Sequence, residues 1–223
     1  MIVFKESDSL FVKNVFAPIA SRVIRCFLVE PEREWSVLGL SEVTGVSYGH
    51  AHKLVATLMK LGFCRKTERS RIVVANPTEL LSRWANYYDF SLLNKVRAYY
   101  SLDADLDRFV GKLAAVSKRD LMYALTLQAG AALLAPYVRP ANLHLYVESE
   151  RLDEWRQILD LQLSELGGNV FLVEPYDEGV FYKVQRLRGA LVVSNVQLYV
   201  DLYNYPARGR EAAEHLRKTV IGF

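Results

Sequence analysis

Between residues 37 and 74 the apolar positions recur first at helical and then at alternating spacing, and the change of period predicts the elements in order. Leu40 and Val43 give a first helix its inward face, Gly45 allows a sharp turn, and Val46 fills the corner. Ser47 stands where an N-cap belongs, with a hydroxyl able to accept from first-turn amides. Ala51, Leu54, Val55, Leu58 and Leu61 then recur as the buried stripe of a second helix, which Gly62 ends. Phe63 to Lys66 and Arg71 to Ala75 can pair around Thr67 to Ser70 as a two-strand ribbon. Helix, turn, helix, ribbon is the order of a winged helix-turn-helix.

The flanks complete a small first domain. From Asn14 to Glu30, Val15, Ile19, Val23, Phe27 and Leu28 form the apolar stripe of a preceding helix. Residues 34 to 36 suit a short strand that closes the ribbon sheet with Trp35 inward. Downstream, Asn76, Pro77 and Glu79 supply an N-cap, a proline at the first helical position and an acid at the third. That helix runs to about Tyr88 and presents Leu80, Leu81, Trp84, Tyr87 and Tyr88, too much aromatic surface to leave wet. It either bridges two domains or forms a dimer contact.

From about residue 90 the rhythm changes. Strands are expected at Lys95 to Leu102, Leu121 to Thr126, Asn142 to Val147, Val170 to Val173, Val180 to Val184 and Ala190 to Val193. Helices are expected at Asp103 to Ser117 with Asp103 as cap, Leu127 to Ala135, and Leu152 to Leu166 ended by Gly167 and Gly168. A further helix runs from its cap Ser194 through Tyr203, and a last one from Gly209 to Val220. Early alternation of strand and helix with later clustering of strands suggests one mixed sheet, of a strand order that the pattern leaves open. The expected fold class is therefore α+β, an N-terminal winged helix-turn-helix followed by a C-terminal α/β-type domain with a mixed sheet. The boundaries are 1–76 for the first domain, 77–90 for the connecting helix and 91–223 for the second domain.

Charge concentrates on one element. The chain of 223 residues has a formal net charge of +3. The window from His50 to Arg71 holds Lys53, Lys60, Arg65, Lys66, Arg69 and Arg71 against the single acid Glu68, so everything outside it is net acidic. Such a footprint suits phosphate. The polar side of the second helix offers Ser47, Tyr48, Gly49, His50, His52, Lys53, Thr57 and Lys60 to a major groove, with Arg65, Lys66, Arg69 and Arg71 as a wing on the backbone. Double-stranded DNA is the expected partner, read by a homodimer, since pairing doubles the contacts of one short site. A protein-docking winged helix is the competing interpretation of the same segment.

Composition adds limits. With 51% apolar and 24% charged residues the chain can bury a real core. The opening MIVFKESDSLFVKN has no apolar region long enough for a leader, and the longest apolar run, Leu121 to Val138, is interrupted by Thr126, Gln128, Gly130 and Pro136. It suits a buried strand followed by a buried helix, so no membrane segment and a cytoplasmic location are expected. Cys26 and Cys64 read as small buried apolar residues. His50 and His52 lie roughly 200° apart around a helix and cannot share one ion, so no metal site is expected.

Chemistry is scarce in the second half. Gly167 and Gly168 precede a strand, the reverse of a phosphate-binding loop. A nucleotidyltransferase needs two acids on one strand, whereas NLHLYVE offers only Glu148. Tyr182 and Lys183 lack the acid that a restriction-type nuclease requires. Asp201 is expected to cap or to salt-bridge to Arg208 or Arg210 rather than act as a base, and His144 and His215 have no visible nucleophile partner. No catalytic residue, cofactor or enzymatic activity is expected.

The stretches YALTLQAGAALLAPYVRPANLHLYV and VVSNVQLYVDLYNYPARGREAAEHLRK resemble the AbiEi family of transcriptional regulators. The resemblance is best at Val193-Ser194, Gln197 to Leu202 and Arg208 to Ala213. It implies an N-terminal domain that represses its own operon by binding the operator, and a C-terminal domain with antitoxin activity in a type IV toxin-antitoxin system. The implied counterpart is a nucleotidyltransferase toxin, countered without a stable complex. A ligand-sensing regulator with no toxin partner, or a nucleic-acid-processing enzyme bearing a winged helix, are the alternatives. The matched residues also have structural roles open to them, Ser194 as N-cap, Asp201 as a partner for Arg208, and Gly209 as a permissive turn.

Overall fold

A computed structural model describes residues 15–116, 121–164 and 167–223. Asn14, Ser117 and the last residues of the helix expected up to Leu166 lie outside the described residues. The chain divides into two compact units, one ending at Tyr88 and one from Asp89 to Gly222.

The first unit comprises helices α1 (Pro18–Val29), α2 (Val37–Thr44) and α3 (Tyr48–Lys60), strands β1 (Cys64–Lys66) and β2 (Ile72–Val74), and helix α4 (Pro77–Tyr87). Proline at its first position starts α1, and Val23, Ile24, Phe27 and Leu28 fill its buried side. Ile19, expected on that stripe, is instead 52% exposed, at the second position of the helix. Ser36 caps α2 by accepting from the Gly39 amide, and Gly45 ends it at φ 67°. Only Leu40 of the two expected inward residues is buried. Val43 faces solvent, and Thr44 takes the buried place because its hydroxyl donates to the Leu40 carbonyl at 2.6 Å and accepts from the Val46 amide at 3.3 Å. Val46 is buried in the corner as expected.

Strands β1 and β2 pair antiparallel with Cys64 opposite Val74 and Lys66 opposite Ile72. Trp35 is buried and exchanges both backbone hydrogen bonds with Ile72 at 2.8 Å, which makes the expected third strand a single bridge. Asn76 caps α4 through the Glu79 amide, and Leu80, Leu81, Trp84 and Ala85 are buried. The guanidinium of the fully buried Arg25 lies 4.9 Å from the Trp84 ring centre and donates to the Ser21 hydroxyl at 2.7 Å, so α4 packs on α1 within this unit. Cys26 and Cys64 are buried and not joined in a disulfide, and burial pushes the Cys64 thiol up to about 12.

The second unit is α+β around a mixed sheet. Its elements are α5 (Phe90–Leu93), β3 (Lys95–Tyr100), α6 (Leu106–Val116), β4 (Tyr123–Thr126), α7 (Leu127–Leu134), β5 (Leu143–Val147), α8 (Leu152–Ile158), β6 (Gln162–Leu163), β7 (Val170–Glu174), β8 (Gln185–Leu187), β9 (Ala190–Val192), α9 (Asn195–Tyr203) and α10 (Gly209–Leu216). The seven strands run in the order β6-β3-β7-β5-β4-β9-β8. β7 with β5 and β4 with β9 are parallel, and the other neighbours are antiparallel. Alternation along the strands separates two faces. Tyr123, Leu125, Leu143, Leu145, Leu172 and Val192 look toward α6 and Trp155 of α8 in one apolar core. Thr126, His144 and Tyr146 point the other way, toward α9.

Three local expectations change. Asp105, not Asp103, caps α6, accepting from the amides of Asp107 and Arg108, while Asp103 pairs with Lys112 and Arg108. The helix expected from Leu152 to Leu166 stops at Ile158, because Asp160 takes φ 52° and the chain turns out to add β6 beside β3. Val180 to Val184 is not a strand. Asp177 accepts from the Gly179 amide and winds Glu178–Phe181 into a 3-10 turn, and the strand begins at Gln185. No helix among the described residues is long and apolar enough to cross a membrane.

Candidate nucleic-acid interface

Helix α3 buries Ala51, Leu54, Val55 and Leu58, half-buries Leu61 beyond its end, and leaves Tyr48, Gly49, His50, His52, Lys53 and Lys60 exposed. Ser47 occupies the N-cap position, and its carbonyl accepts from the Ala51 amide at 2.9 Å. Its hydroxyl makes no capping bond, contrary to expectation, and the residue is exposed. Thr57 is half-buried, and its hydroxyl donates to the Lys53 carbonyl at 3.0 Å, so that hydrogen is already committed within the helix.

Geometry splits the expected polar face into two flanks. Tyr48 and His52, four residues apart, bring their rings to 6.3 Å on one side. His50, Lys53 and Thr57 fall on the other side, where with Leu54 they line a groove against the start of α1. The two imidazoles thus diverge, as their spacing requires. A Cβ added at Gly49 would meet nothing within 4 Å, so backbone there is open to a close-approaching surface.

Gly62, at φ 77°, releases the chain from α3 directly into the ribbon. The ribbon tip is tied by the Thr67 amide donating to the Arg71 carbonyl at 2.8 Å and by Ser70 at φ 56°. Arg65, Lys66, Arg69 and Arg71 are all exposed on it. Among the described residues, none of these four, nor Lys53 or Lys60, has an ion-pair partner. Elsewhere the cations are largely engaged: Arg97 meets Glu174 at 2.9 Å, Arg188 meets Asp107 at 2.9 Å, and Arg208 meets Glu211 at 2.7 Å. The cations of this helix and ribbon are thus exposed and without an ion-pair partner among the described residues.

The second unit places its polar residues differently. Asp201 is fully buried on α9, where its carboxylate accepts from the Thr126 hydroxyl at 2.5 Å, the Gln197 amide at 2.7 Å and the Tyr146 hydroxyl at 3.1 Å. The expected partnership with Arg208 or Arg210 is therefore replaced. Arg208 pairs with Glu211, and Arg210 lies over the Tyr203 ring and donates to the Tyr203 carbonyl. Sequence reasoning missed Thr126, Tyr146 and Gln197. The polar or amphipathic residues at alternate positions of two apolar strands were the available signal. Beside this cluster His144 is buried, stacked on Phe171 at 4.7 Å, with Nε2 3.1 Å from the Tyr205 hydroxyl. Burial pushes its imidazole down to about 4, and Nδ1 has no hydrogen-bond partner among the described residues.

Ser194 caps α9 by accepting from the Gln197 amide, as expected. A Cβ at Gly209 would lie 2.3 Å from the Leu202 carbonyl, so the glycine there is required by close packing and not by a positive φ. The positive φ angles sit just before it, at Ala207 and Arg208. In the C-terminal stretch the serine thus caps α9, the glutamine and two sheet residues meet on the aspartate, and the glycine lets the start of α10 pack against the end of α9. The family described as transcriptional regulator, AbiEi antitoxin, type IV toxin-antitoxin system, matches residues 71–221. The chain belongs to the AbiEi antitoxin family. No curated protein and no solved structure matches it. The AbiEi match begins at β2 and takes in the second unit to Ile221, whereas α1, α2, α3 and β1 precede it. Membership makes this chain one of a family of regulatory antitoxins.

Proposed function

We propose that the chain is a DNA-binding autorepressor and the antitoxin of a type IV toxin-antitoxin system, with residues 1–76 acting as a winged helix-turn-helix. The observation that carries this reading is the set of six cations on α3 and the ribbon that have no carboxylate partner among the described residues. An exposed cation without an intramolecular partner gives up little on meeting a phosphate, and each contact releases counterions. Tyr48, Gly49, His50, His52 and Lys53 approach base edges and adjacent phosphates, with Ser47, Thr57 and Lys60 flanking them. Arg65, Lys66, Arg69 and Arg71 hold the backbone as a wing.

The second unit, residues 91–223, supplies the antitoxin part, and residues 77–90 link the two. Regulation rather than catalysis is the reading for it, because its most conspicuous carboxylate is already occupied by three donors. Family membership supports a toxin as the functional counterpart. We take that toxin to be a nucleotidyltransferase, opposed without a stable complex, and the repressor to act as a cytoplasmic homodimer on a two-part operator.

The test is fluorescence anisotropy of the purified protein on a labelled duplex of its own promoter, titrated over salt, with an unrelated duplex as competitor. Retention that resists the competitor and falls steeply with salt is the expected result. No retention at low salt would overturn the DNA reading and leave α1 to α3 as a protein-docking module.

A further inference from the structure

His50, Lys53, Leu54 and Thr57 recur at i, i+3, i+4 and i+7 on α3, and together they form one wall of a groove of about 510 Å³. The facing wall is the start of α1, where Ala17, Pro18 and Ile19 contribute only apolar surface. Ile19 explains why the groove exists. It belongs by spacing to the buried stripe of α1, yet it is 52% exposed and lines the groove facing α3. Among the described residues, that apolar side chain is left more than half uncovered.

The groove is chemically two-ended. Its floor and far wall are apolar, and a volume of this size is that of a small-molecule site. Its rim toward α3 holds the Lys53 ammonium and the His50 imidazole, and no carboxylate among the described residues lines it. Thr57 adds a methyl and an acceptor, since its hydroxyl hydrogen is given to the Lys53 carbonyl. On the α1 side Ala17 stands at the N-cap, lines the groove and offers no side-chain acceptor to the first turn. An apolar body with one anionic end suits the apolar floor and the cationic rim together. A cation is opposed by that rim, and a purely polar solute leaves the floor uncovered.

We propose that this groove binds a small amphipathic carboxylate, and that occupation takes Lys53 and His50 away from DNA. The carboxylate pairs with Lys53 and accepts from His50, while the apolar body covers Ile19, Pro18 and Leu54. The same two side chains cannot at once hold a ligand carboxylate and a phosphate or base edge, so ligand and DNA compete. The regulatory half of this proposal rests on the reading of α3 as the DNA-contacting helix. The binding half does not.

The experiment uses the full chain and two matched probes, 4-phenylbutyrate and its neutral counterpart 4-phenylbutanol. Binding is followed first without DNA, by amide chemical-shift changes. The expected result is saturable shifts confined to α1 and α3, with the carboxylate bound about tenfold more tightly than the alcohol, the effect of one charge-assisted contact. Lys53→Met should bring the two probes to equal affinity. Ile19→Asn should weaken both about tenfold through lost apolar contact and leave DNA affinity unchanged, since Ile19 is outside the DNA-reading set. With operator duplex present, 4-phenylbutyrate at ten times its own dissociation constant should raise the apparent DNA dissociation constant about elevenfold.

Absence of shifts in α1 and α3 with either probe at millimolar concentration would overturn the site, including the case in which another part of the chain fills the groove. Equal affinity for acid and alcohol in the unaltered protein would overturn the carboxylate assignment. Probe binding with unmoved DNA affinity would overturn the competition. A protein that holds no duplex even before probe is added would remove the DNA reading and the competition together, while the probe shifts would still decide the site.

Discussion

The Thr126 hydroxyl donates to the Asp201 carboxylate at 2.5 Å, joining a strand end to a helix 75 positions further along the chain. Two more donors, Gln197 and Tyr146, reach the same fully buried carboxyl group. Such a group is tolerable in an apolar setting only because its lone pairs are filled. Asp201→Asn keeps the shape but sets a new N–H against groups that already donate. We expect it to destabilise the second unit by about 2 to 4 kcal/mol in urea unfolding, with no local change in DNA affinity under native conditions. A change under about 0.5 kcal/mol would show that the cluster is not what fixes α9 on the sheet.

Gly209→Ala places a methyl 2.3 Å from the Leu202 carbonyl, and backbone must shift to admit it. The expected cost is about 2 kcal/mol or more by thermal or urea unfolding. Gly49→Ala is the control, since a Cβ there meets nothing within 4 Å. It should leave stability the same or slightly raised through helix propensity, and it should weaken DNA binding if backbone approaches a groove floor.

His144 gives the second unit a pH dependence. Burial lowers its imidazole from 6.5 to about 4, so between those values the unfolded chain binds a proton that the folded chain refuses. Stability therefore rises with pH across this window, is fully present above about 6.5, and is lost as pH falls toward 4. The full swing is roughly 3 kcal/mol. His144→Phe keeps a ring on Phe171 and should flatten that slope in unfolding measured at pH 7 and pH 5. An unchanged slope would place the pH dependence elsewhere.

The ribbon should act through phosphate alone. Replacing Arg69 or Arg71 by alanine is expected to lower the log-log salt slope of operator binding by about one unit each and to weaken all duplexes alike. A loss confined to the operator would assign these residues to base reading instead.

The two flanks of α3 make separate contributions. His50→Ala or Lys53→Ala should narrow the gap between operator and unrelated duplex, by about 1 to 3 kcal/mol if the lost contact is to a base edge. Tyr48→Ala tests the other flank, where the ring rests by His52. Uniform weakening in competition binding from His50→Ala and Lys53→Ala would move both residues from the base edges to the backbone.

How far each feature was legible depends on the range of the interactions behind it. The stripe of α3, the αL stop at Gly45, the Asn76 cap and the Ser194 cap follow from residues within one or two turns, and all four stand where spacing puts them. Ile19 and Val43 had the right spacing and the wrong surroundings. Burial at the end of a stripe depends on whether a neighbouring helix extends over it, and period alone is silent on that. Leu152 to Leu166 kept a helical pattern past the point where Asp160 turns, because an edge position beside β3 was open for Gln162 and Leu163.

The sequence by itself determined the elements of the first unit, the concentration of positive charge from His50 to Arg71, and the motif at Gln197 to Ala213 that matches the family. Each is written in near neighbours or in simple composition. The tertiary structure alone decided the strand order β6-β3-β7-β5-β4-β9-β8, the burial of Asp201 against Thr126 and Tyr146, and the groove that His50 and Lys53 share with the start of α1. These depend on residues tens of positions apart meeting at a few ångströms, and on which surfaces remain uncovered once they do. Local propensity has no information about either.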